Sequence, residues 1–488
     1  MLLAFIPVYI RTLGIESYGL IATFATLQVW LALVDVGLRP ALAREMARYS
    51  GGGHSLESIK SLFFSAEIIG VFLSIVIAAC LWVSSSWLSE NWINIQSLSL
   101  NTASNAFKLM GVMAGLQLLE TIYSSSLAGL QRQVYLNVIQ VIIVTFRGLG
   151  SVIIILWISP TVEAYFIWQA SVSVFATIIM GLAAHSSLPA TFIRTRFSWK
   201  SLDQIKTYAL GMLGITILSL LLTQSDKIIL ARQLPLDDFG QYMLAASVAG
   251  ALSLLSSPIA AAYFPRMTQL TENGTEAQRK STFHEAAQIT TSMMGAAAAM
   301  LVIFGGPLLL LWTSDVSLAG QASGILALLA LGTMLNAITG VIYQQQLAVG
   351  WTSLTIATNA FSVCIFVPAL LIVIPAYGQW GAAVMWLILN FTQVVAGGYF
   401  MFRRVLVGSR VPWIFEDNIL PLIAVFTVAV MLNYFVPLST TKSFAFLQLG
   451  SIGVCIFISG LLATPLARNL VVRFLINKFP GQGRLPKQ

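Results

Sequence analysis

"RTLGIESYG" at residues 11–19 is echoed 221 residues later by "RQLPLDDFG" at residues 232–240. Arg11, Leu13 and Gly19 recur as Arg232, Leu234 and Gly240, while Ile15, Glu16 and Tyr18 return as Leu236, Asp237 and Phe239. A second phrase repeats at nearly the same spacing: "IYSSSLA" (122–128) comes back as "IYQQQLA" (342–348). The competing reading is chance similarity in an apolar background, and it explains poorly why polar and glycine positions are kept. An internal repeat of about 220 residues organises the chain.

Composition says where such a repeat sits. Of 488 residues, 57% are hydrophobic and 9% charged, against about 25% charged in a soluble domain. Apolar stretches of 20 or more residues recur throughout, each long enough to cross a hydrocarbon core of roughly 30 Å as a helix. The runs are continuous rather than alternating, which excludes a membrane barrel. Fourteen spans are expected, near 1–12, 17–38, 60–84, 104–129, 133–158, 162–184, 206–231, 239–262, 285–311, 322–347, 352–374, 379–402, 417–437 and 444–466. The first has only ten residues before Arg11. Either some native residues precede Met1, or Arg11 snorkels to the interface.

With the N-terminus in the cytoplasm, twenty of the 26 basic residues fall on the cytoplasmic side. Only Arg11, Arg232 and Lys442 fall outside, and both termini are then cytoplasmic. This positive-inside bias accounts for the net charge of +8 without nucleic acid. Six spans separate the repeated phrases, so both halves share one orientation. The fold class is therefore an all-α polytopic membrane protein with about 14 transmembrane helices: two pseudo-symmetric six-helix bundles plus two extra C-terminal helices. The expected domains are an N-terminal lobe (1–184), a cytoplasmic linker (185–205), a C-terminal lobe (206–402), spans 13 and 14 (403–466) and a basic cytoplasmic tail (467–488). Two like-oriented bundles suit alternating access, with the substrate path between them.

Cys80, Cys364 and Cys455 are odd in number and far apart, so no disulfide framework is expected. His54, His185 and His284 read as loop residues without metal-ligand spacing. The informative charges are those inside spans, since one at the bilayer centre costs about 2.5–3.5 kcal/mol on insertion scales. Seven stand out: Asp35, Glu67, Lys108, Glu120, Arg147, Asp226 and Lys227. Gln117, Glu120 and Ser124 share one helical face, as do Gln140 and Arg147, and Thr216, Ser219, Thr223 and Asp226 form a third stripe. Such stripes read as cavity walls; the alternative is interhelical glue, with Glu120 neutralising Arg147. Asp35 pairs locally with Arg39 in the blander reading. The second repeat lacks these charges: Glu120 corresponds to Gly340, and the other lobe offers neutral Gln344, Gln345 and Gln346. That division suits an amphiphile with a charged group and a neutral polar body.

The stretch "YIRTLGIESYGLIATFATLQVWLALVDVGLRPALAREMA" (9–47) resembles the opening of polysaccharide-exporter flippases, the O-antigen flippase family within the multidrug/oligosaccharidyl-lipid/polysaccharide exporter superfamily. The resemblance rests on Leu13-Gly14, Tyr18-Gly19, Asp35 to Leu38, Arg44-Glu45 and "SDKIILARQL" (225–234). It implies a V-shaped pair of six-helix bundles plus two helices, located in the bacterial cytoplasmic (inner) membrane. It also implies translocation of undecaprenyl-diphosphate-linked oligosaccharide to the outer leaflet, with polysaccharide polymerase machinery as a possible partner. A sugar diphosphate calls for cations along its path. Arg147, Lys227 and Lys108, with Arg11 and Arg232 at the outer mouth, supply them. Gln117, Ser124, Gln140, Thr216, Ser219, Thr223, Gln344 and Gln345 supply polar lining. Glu120, Glu67, Asp35 and Asp226 are the candidate coupling or gating carboxylates.

No cofactor and no metal are called for. The driving force is a proton or sodium gradient or the membrane potential, which is worth about 2.3 kcal/mol per charge per 100 mV. A dianion leaving an inside-negative cell gains about twice that. The rival within transporters is a drug or metabolite cation antiporter of the same superfamily, served by Glu120, Glu67 and Asp226. A membrane glycan polymerase or ligase is the rival of another class. It needs a sizeable external loop with catalytic groups, and the longest outside segment, about 85–103, holds only Glu90 as a charge. No nucleotide-binding glycine loop is present, and the expectation is a transporter, not an enzyme.

Overall fold

The structure is a computed structural model. It describes residues 2–31, 33, 38–50, 55–189, 199–439 and 441–467. Asp35, Arg194, Arg196 and the basic tail from 468 onward lie outside the described residues.

The apolar runs fold as helices: α1 Leu2–Leu13, α2 Ile15–Leu31, α3 Leu38–Ser50, α4 Leu56–Asn91, α5 Leu100–Gly129 and α6 Gln133–Ile153. Then come α7 Val162–Ser186, α8 Trp199–Gln233, α9 Leu236–Ala251, α10 Ser253–Asn273, α11 Glu276–Thr313 and α12 Val316–Ala348. The rest are α13 Thr352–Arg404, the single turn α14 Arg410–Pro412, α15 Leu420–Phe435 and α16 Lys442–Leu462. π-Helices extend α6 (Ile154–Ile158) and lead into α15 (Trp413–Ile419). Short polar residues start the helices. Ser55, Ser99 and Thr161 accept from the backbone three residues on. Thr275 and Gln278 close a reciprocal capping box on α11.

Nine helices among the described residues are long and apolar enough to cross a membrane. Large apolar side chains are exposed along them, including Phe72 and Ile75 (63% each) and Trp157 (78%). Water does not tolerate such faces and lipid does, so the chain is a multi-pass membrane protein. The break expected between the spans at 352–374 and 379–402 is present: two helical stretches meet at Gly378, which takes a non-helical φ 56° and ψ −138°. One expectation is corrected. His185 and His284 are not loop residues; they stand in the last turn of α7 and within α11.

Contacts divide the chain into two compact units, Met1–Met243 with Ala369–Gly378, and Leu244–Pro368 with Gln379–Gln488. In the first, α4 and α5 pack along each other, α7 lies on α5, and α8 leans on α2, α3 and α4. Its core includes Met46, Phe63, Ile122, Tyr123 and Met180. In the second, α11 is central, touching α10, α12, α15 and α16.

The repeated phrases meet within the first unit. A Cβ on Gly19 would stand 2.4 Å from the Leu236 carbonyl oxygen, and one on Gly240 would stand 2.7 Å from that of Ile15. Ile15 and Leu236 are equivalent positions of the repeat, so the contact is reciprocal, and only glycine permits so close an approach. Residues 94–97 bind both phrases. The Leu236 amide donates to the Asn94 carbonyl (2.9 Å), and the Glu16 carboxylate accepts from the Gln96 (2.6 Å) and Ser97 (2.9 Å) amides.

Candidate functional site

α5, α6 and α7 enclose a cavity of about 220 Å³. α5 contributes Gln117, Glu120, Thr121 and Ser124, α6 contributes Gln140 and Arg147, and Met180 of α7 closes it. Glycines flanking Arg147 hold α6 in place. A Cβ on Gly148 would come within 2.6 Å of the Phe5 ring, and one on Gly150 within 2.1 Å of Trp168. One turn on, Ser151 Oγ and the Tyr9 hydroxyl lie 2.6 Å apart. The missing side chains let α1 and α7 close against α6, and that packing fixes where Arg147 points.

Arg147 Nη2 lies 3.7 Å from Glu120 Oε1, with only 22% and 18% of the two side chains exposed. The same Nη2 donates to Ser173 Oγ at 3.0 Å. Gln169 Nε2 donates to the Arg147 carbonyl at 3.4 Å, and Gln28 Nε2 donates to Gln117 Oε1 at 2.8 Å. Arg147 Nε and Glu120 Oε1 are both buried, and neither makes a hydrogen bond. At 3.7 Å the charges attract without a hydrogen bond joining them. The site thus keeps a guanidinium with unused donor capacity beside a carboxylate with unused acceptor capacity. It favours an anion that accepts from the guanidinium fork more closely than Glu120 does.

The structure brings Gln117, Glu120, Ser124, Gln140 and Arg147 to one cavity; the other described candidates are not among its lining. Lys227 lies 3.7 Å from Asp226 Oδ1 and donates to the Thr223 carbonyl at 2.7 Å, one turn back on α8. Asp226 also accepts from the Tyr242 hydroxyl. Thr223 Oγ1 bonds back to the Ser219 carbonyl, and Thr216 is half-buried farther up α8. Lys108 reaches Asn105 (3.3 Å) and sits 5.8 Å from the Trp82 ring centre. Arg11 and Arg232 are exposed near the ends of α1 and α8. Gln344 and Gln345 lie on α12 of the second unit, Gln345 buried. Glu67 accepts from the Tyr123 hydroxyl (2.7 Å) and faces His185 Nε2 (3.1 Å).

Gln28, Gln169 and Ser173 complete the surroundings of the cavity and were not foreseen. The signal for two of them was present: Gln169, Ser173 and Thr177 recur every fourth residue in an apolar span. Asp417 was missed as well. In the second unit it is 1% exposed, contacts His284 Nδ1 and accepts from Gln288 Nε2 at 2.8 Å. Among the described residues no group of three or more His, Cys, Asp or Glu is placed to hold a metal ion.

The profile of the family described as "Polysaccharide biosynthesis protein" matches residues 1–271, more than half of the chain. A protein named "Putative O-antigen transporter" from Shigella flexneri is 21% identical over 376 residues, covering 77% of this chain and 87% of that protein. Among solved structures, the lipid II flippase MurJ in an inward closed conformation aligns with a TM-score of 0.71 at 13% identity, over 96% of this chain and 97% of its own. An inward-facing multidrug resistance MATE family transporter of the MOP superfamily aligns at 0.70 and 13% identity, over 82% of this chain and 93% of its own. The fold is that of these solved structures. With its first 271 residues matching the family's profile, the chain belongs to the polysaccharide biosynthesis protein family.

Proposed function

We propose that the chain is a flippase that moves an undecaprenyl-diphosphate-linked oligosaccharide, an O-antigen or similar surface-polysaccharide repeat unit, from the inner to the outer leaflet by alternating access. The observation that carries this reading is the Arg147 guanidinium, set in a cavity with buried Nε unpartnered and Glu120 held at 3.7 Å. A cation inside a membrane protein is costly and is kept where an anion must be met. The cavity of about 220 Å³ is smaller than the roughly 300–1,000 Å³ of drug-sized sites. It takes the charged diphosphate and leaves the sugars outside it.

Glu120 supplies a counter-charge when the anion is absent and gives way when it arrives. The membrane potential then favours outward movement of negative charge. Two further features support the reading. The glycines of the repeated phrases pack reciprocally, as a parallel internal repeat requires, and the similar proteins include one named as an O-antigen transporter. In the same proposal the termini are cytoplasmic, the membrane is the bacterial inner membrane, and the repeat halves form the two moving lobes.

The test is to express Arg147→Ala in cells that lack the chain. Loss of surface polysaccharide, with normal amounts of the protein in the membrane, is expected. Normal surface polysaccharide would remove the cation from the mechanism. Export of organic cations in place of glycolipid would favour the antiporter.

A further inference from the structure

A second cavity of the first unit, about 670 Å³, lies where α4 begins and α7 ends. Lys60, Phe63 and Phe64 line it from α4, Arg132 from the start of α6, and the segment from His185 to Pro189 from the end of α7. Among the described residues no acidic one lines it; Glu67 stands behind His185, 3.1 Å from Nε2. Arg132 is exposed, and its side chain makes no hydrogen bond or ion pair among the described residues. The cationic rim therefore faces a floor made of two phenylalanine rings.

The face of α4 that enters this cavity continues away from it. Lys60, Phe64, Ile68, Val71 and Ile75 follow at intervals that keep them on one side of the helix. Ile68, Val71 and Ile75 are 40%, 42% and 63% exposed. A cation at the end of an exposed apolar stripe has the polarity of an amphiphile lying along the helix, headgroup at Lys60 and chains toward Ile75. Basic pockets between helix ends at an anionic leaflet suit such headgroups.

We propose that this cavity seats the phosphate-bearing headgroup of an anionic glycerophospholipid, with its acyl chains lying along Phe64, Ile68, Val71 and Ile75. Lys60 and Arg132 hold the phosphate, and Phe63 and Phe64 cover the glycerol end. The bound lipid fixes this end of the first unit in its leaflet. The site is separate from the one at Arg147 and does not rest on the transport reading. A soluble phosphate ligand shares the headgroup chemistry but gains nothing from the stripe.

The experiment is native mass spectrometry of the full chain released from nanodiscs of equal phosphatidylglycerol and phosphatidylcholine. The wild type is expected to retain phosphatidylglycerol over phosphatidylcholine. Lys60→Gln with Arg132→Gln is expected to lower that retention roughly thirtyfold, as the loss of two cations near a headgroup predicts. Arg132→Glu alone, at an exposed position, moves it in the same direction, and Arg147→Gln leaves it unchanged. Equal retention in wild type and the double glutamine variant would overturn the proposal, as would equal loss in Arg147→Gln. Glycerophosphoglycerol, the headgroup without chains, is expected to displace the lipid poorly. Full displacement at matched concentration would assign the cavity to a soluble phosphate instead.

Discussion

Arg147 and Glu120 face each other across a small cavity at 3.7 Å, attracted but not hydrogen-bonded, on helices α6 and α5. Had the two been locked in a bidentate pair, the guanidinium would have nothing left for a ligand. The spacing leaves the fork open, and Ser173 holds one arm of it. Several measurable consequences depend on that arrangement.

Arg147→Lys keeps the charge and loses the planar fork. If the anion is gripped by two parallel N–H groups, the variant is expected to export roughly tenfold less than wild type while inserting normally. Export near the wild-type rate would mean that charge alone is read. Quantified surface polysaccharide, normalised to membrane-inserted protein, makes the comparison.

Glu120→Ala leaves a half-hidden cation without its counter-charge. A fully buried pair broken in this way costs about 3–5 kcal/mol. Here the cavity admits some solvent, so a cost of about 2 kcal/mol is expected, read as earlier thermal unfolding in detergent. Glu120→Ala combined with Arg147→Ala is expected to be no less stable than either single change, because the two charges are coupled. A double variant whose losses simply add would show the pair to be incidental.

Gly150→Ala tests the packing that aims Arg147. Its Cβ would enter the Trp168 ring at 2.1 Å, and overpacking of that kind costs about 1–3 kcal/mol. Lower thermal stability and weaker export are expected together. Gly340→Ala, with open space around the added methyl, is the control and is expected to be neutral or slightly stabilising in its helix.

Asp417→Ala in the second unit removes the acceptor shared by His284 and Gln288. Gln288 in turn accepts from the Leu466 amide at 2.9 Å, so α11, the π-helix before α15 and the segment after α16 are joined through one carboxylate. Loss of that link is expected to cost about 2–4 kcal/mol through unsatisfied buried donors, seen as a lowered unfolding temperature. Asp417→Asn, which keeps an acceptor for Gln288, is expected to fall between.

The helical, membrane-spanning class was legible because few ionic groups and long apolar runs leave no other way to satisfy the backbone. The cavity was legible in part for a related reason. Gln117, Glu120 and Ser124 stand out on one face of an apolar helix, and Gln140 and Arg147 on one face of the next. What hid the rest was distance along the chain and reach of the side chain. His284 and Asp417 are 133 residues apart, and no local pattern announces their contact. Lys227 looked like a wall of the cavity, but its flexible stem lets the ammonium turn back to the Thr223 carbonyl one turn away. Lys108 settles near Trp82 by the same freedom. Gly378 was readable as a break, and the backbone leaves the helical conformation there, at φ 56° and ψ −138°, between two helical stretches.

The central claim is that the Arg147 cavity carries a diphosphate across the membrane, and it is tested most directly in vesicles of purified protein. Fluorescent undecaprenyl-diphosphate oligosaccharide is placed in one leaflet, and its arrival in the other is followed with a membrane-impermeant quencher. Wild-type protein is expected to move the lipid, faster with the far side positive, and Arg147→Gln is expected to match protein-free vesicles. Movement by Arg147→Gln at the wild-type rate would contradict the account.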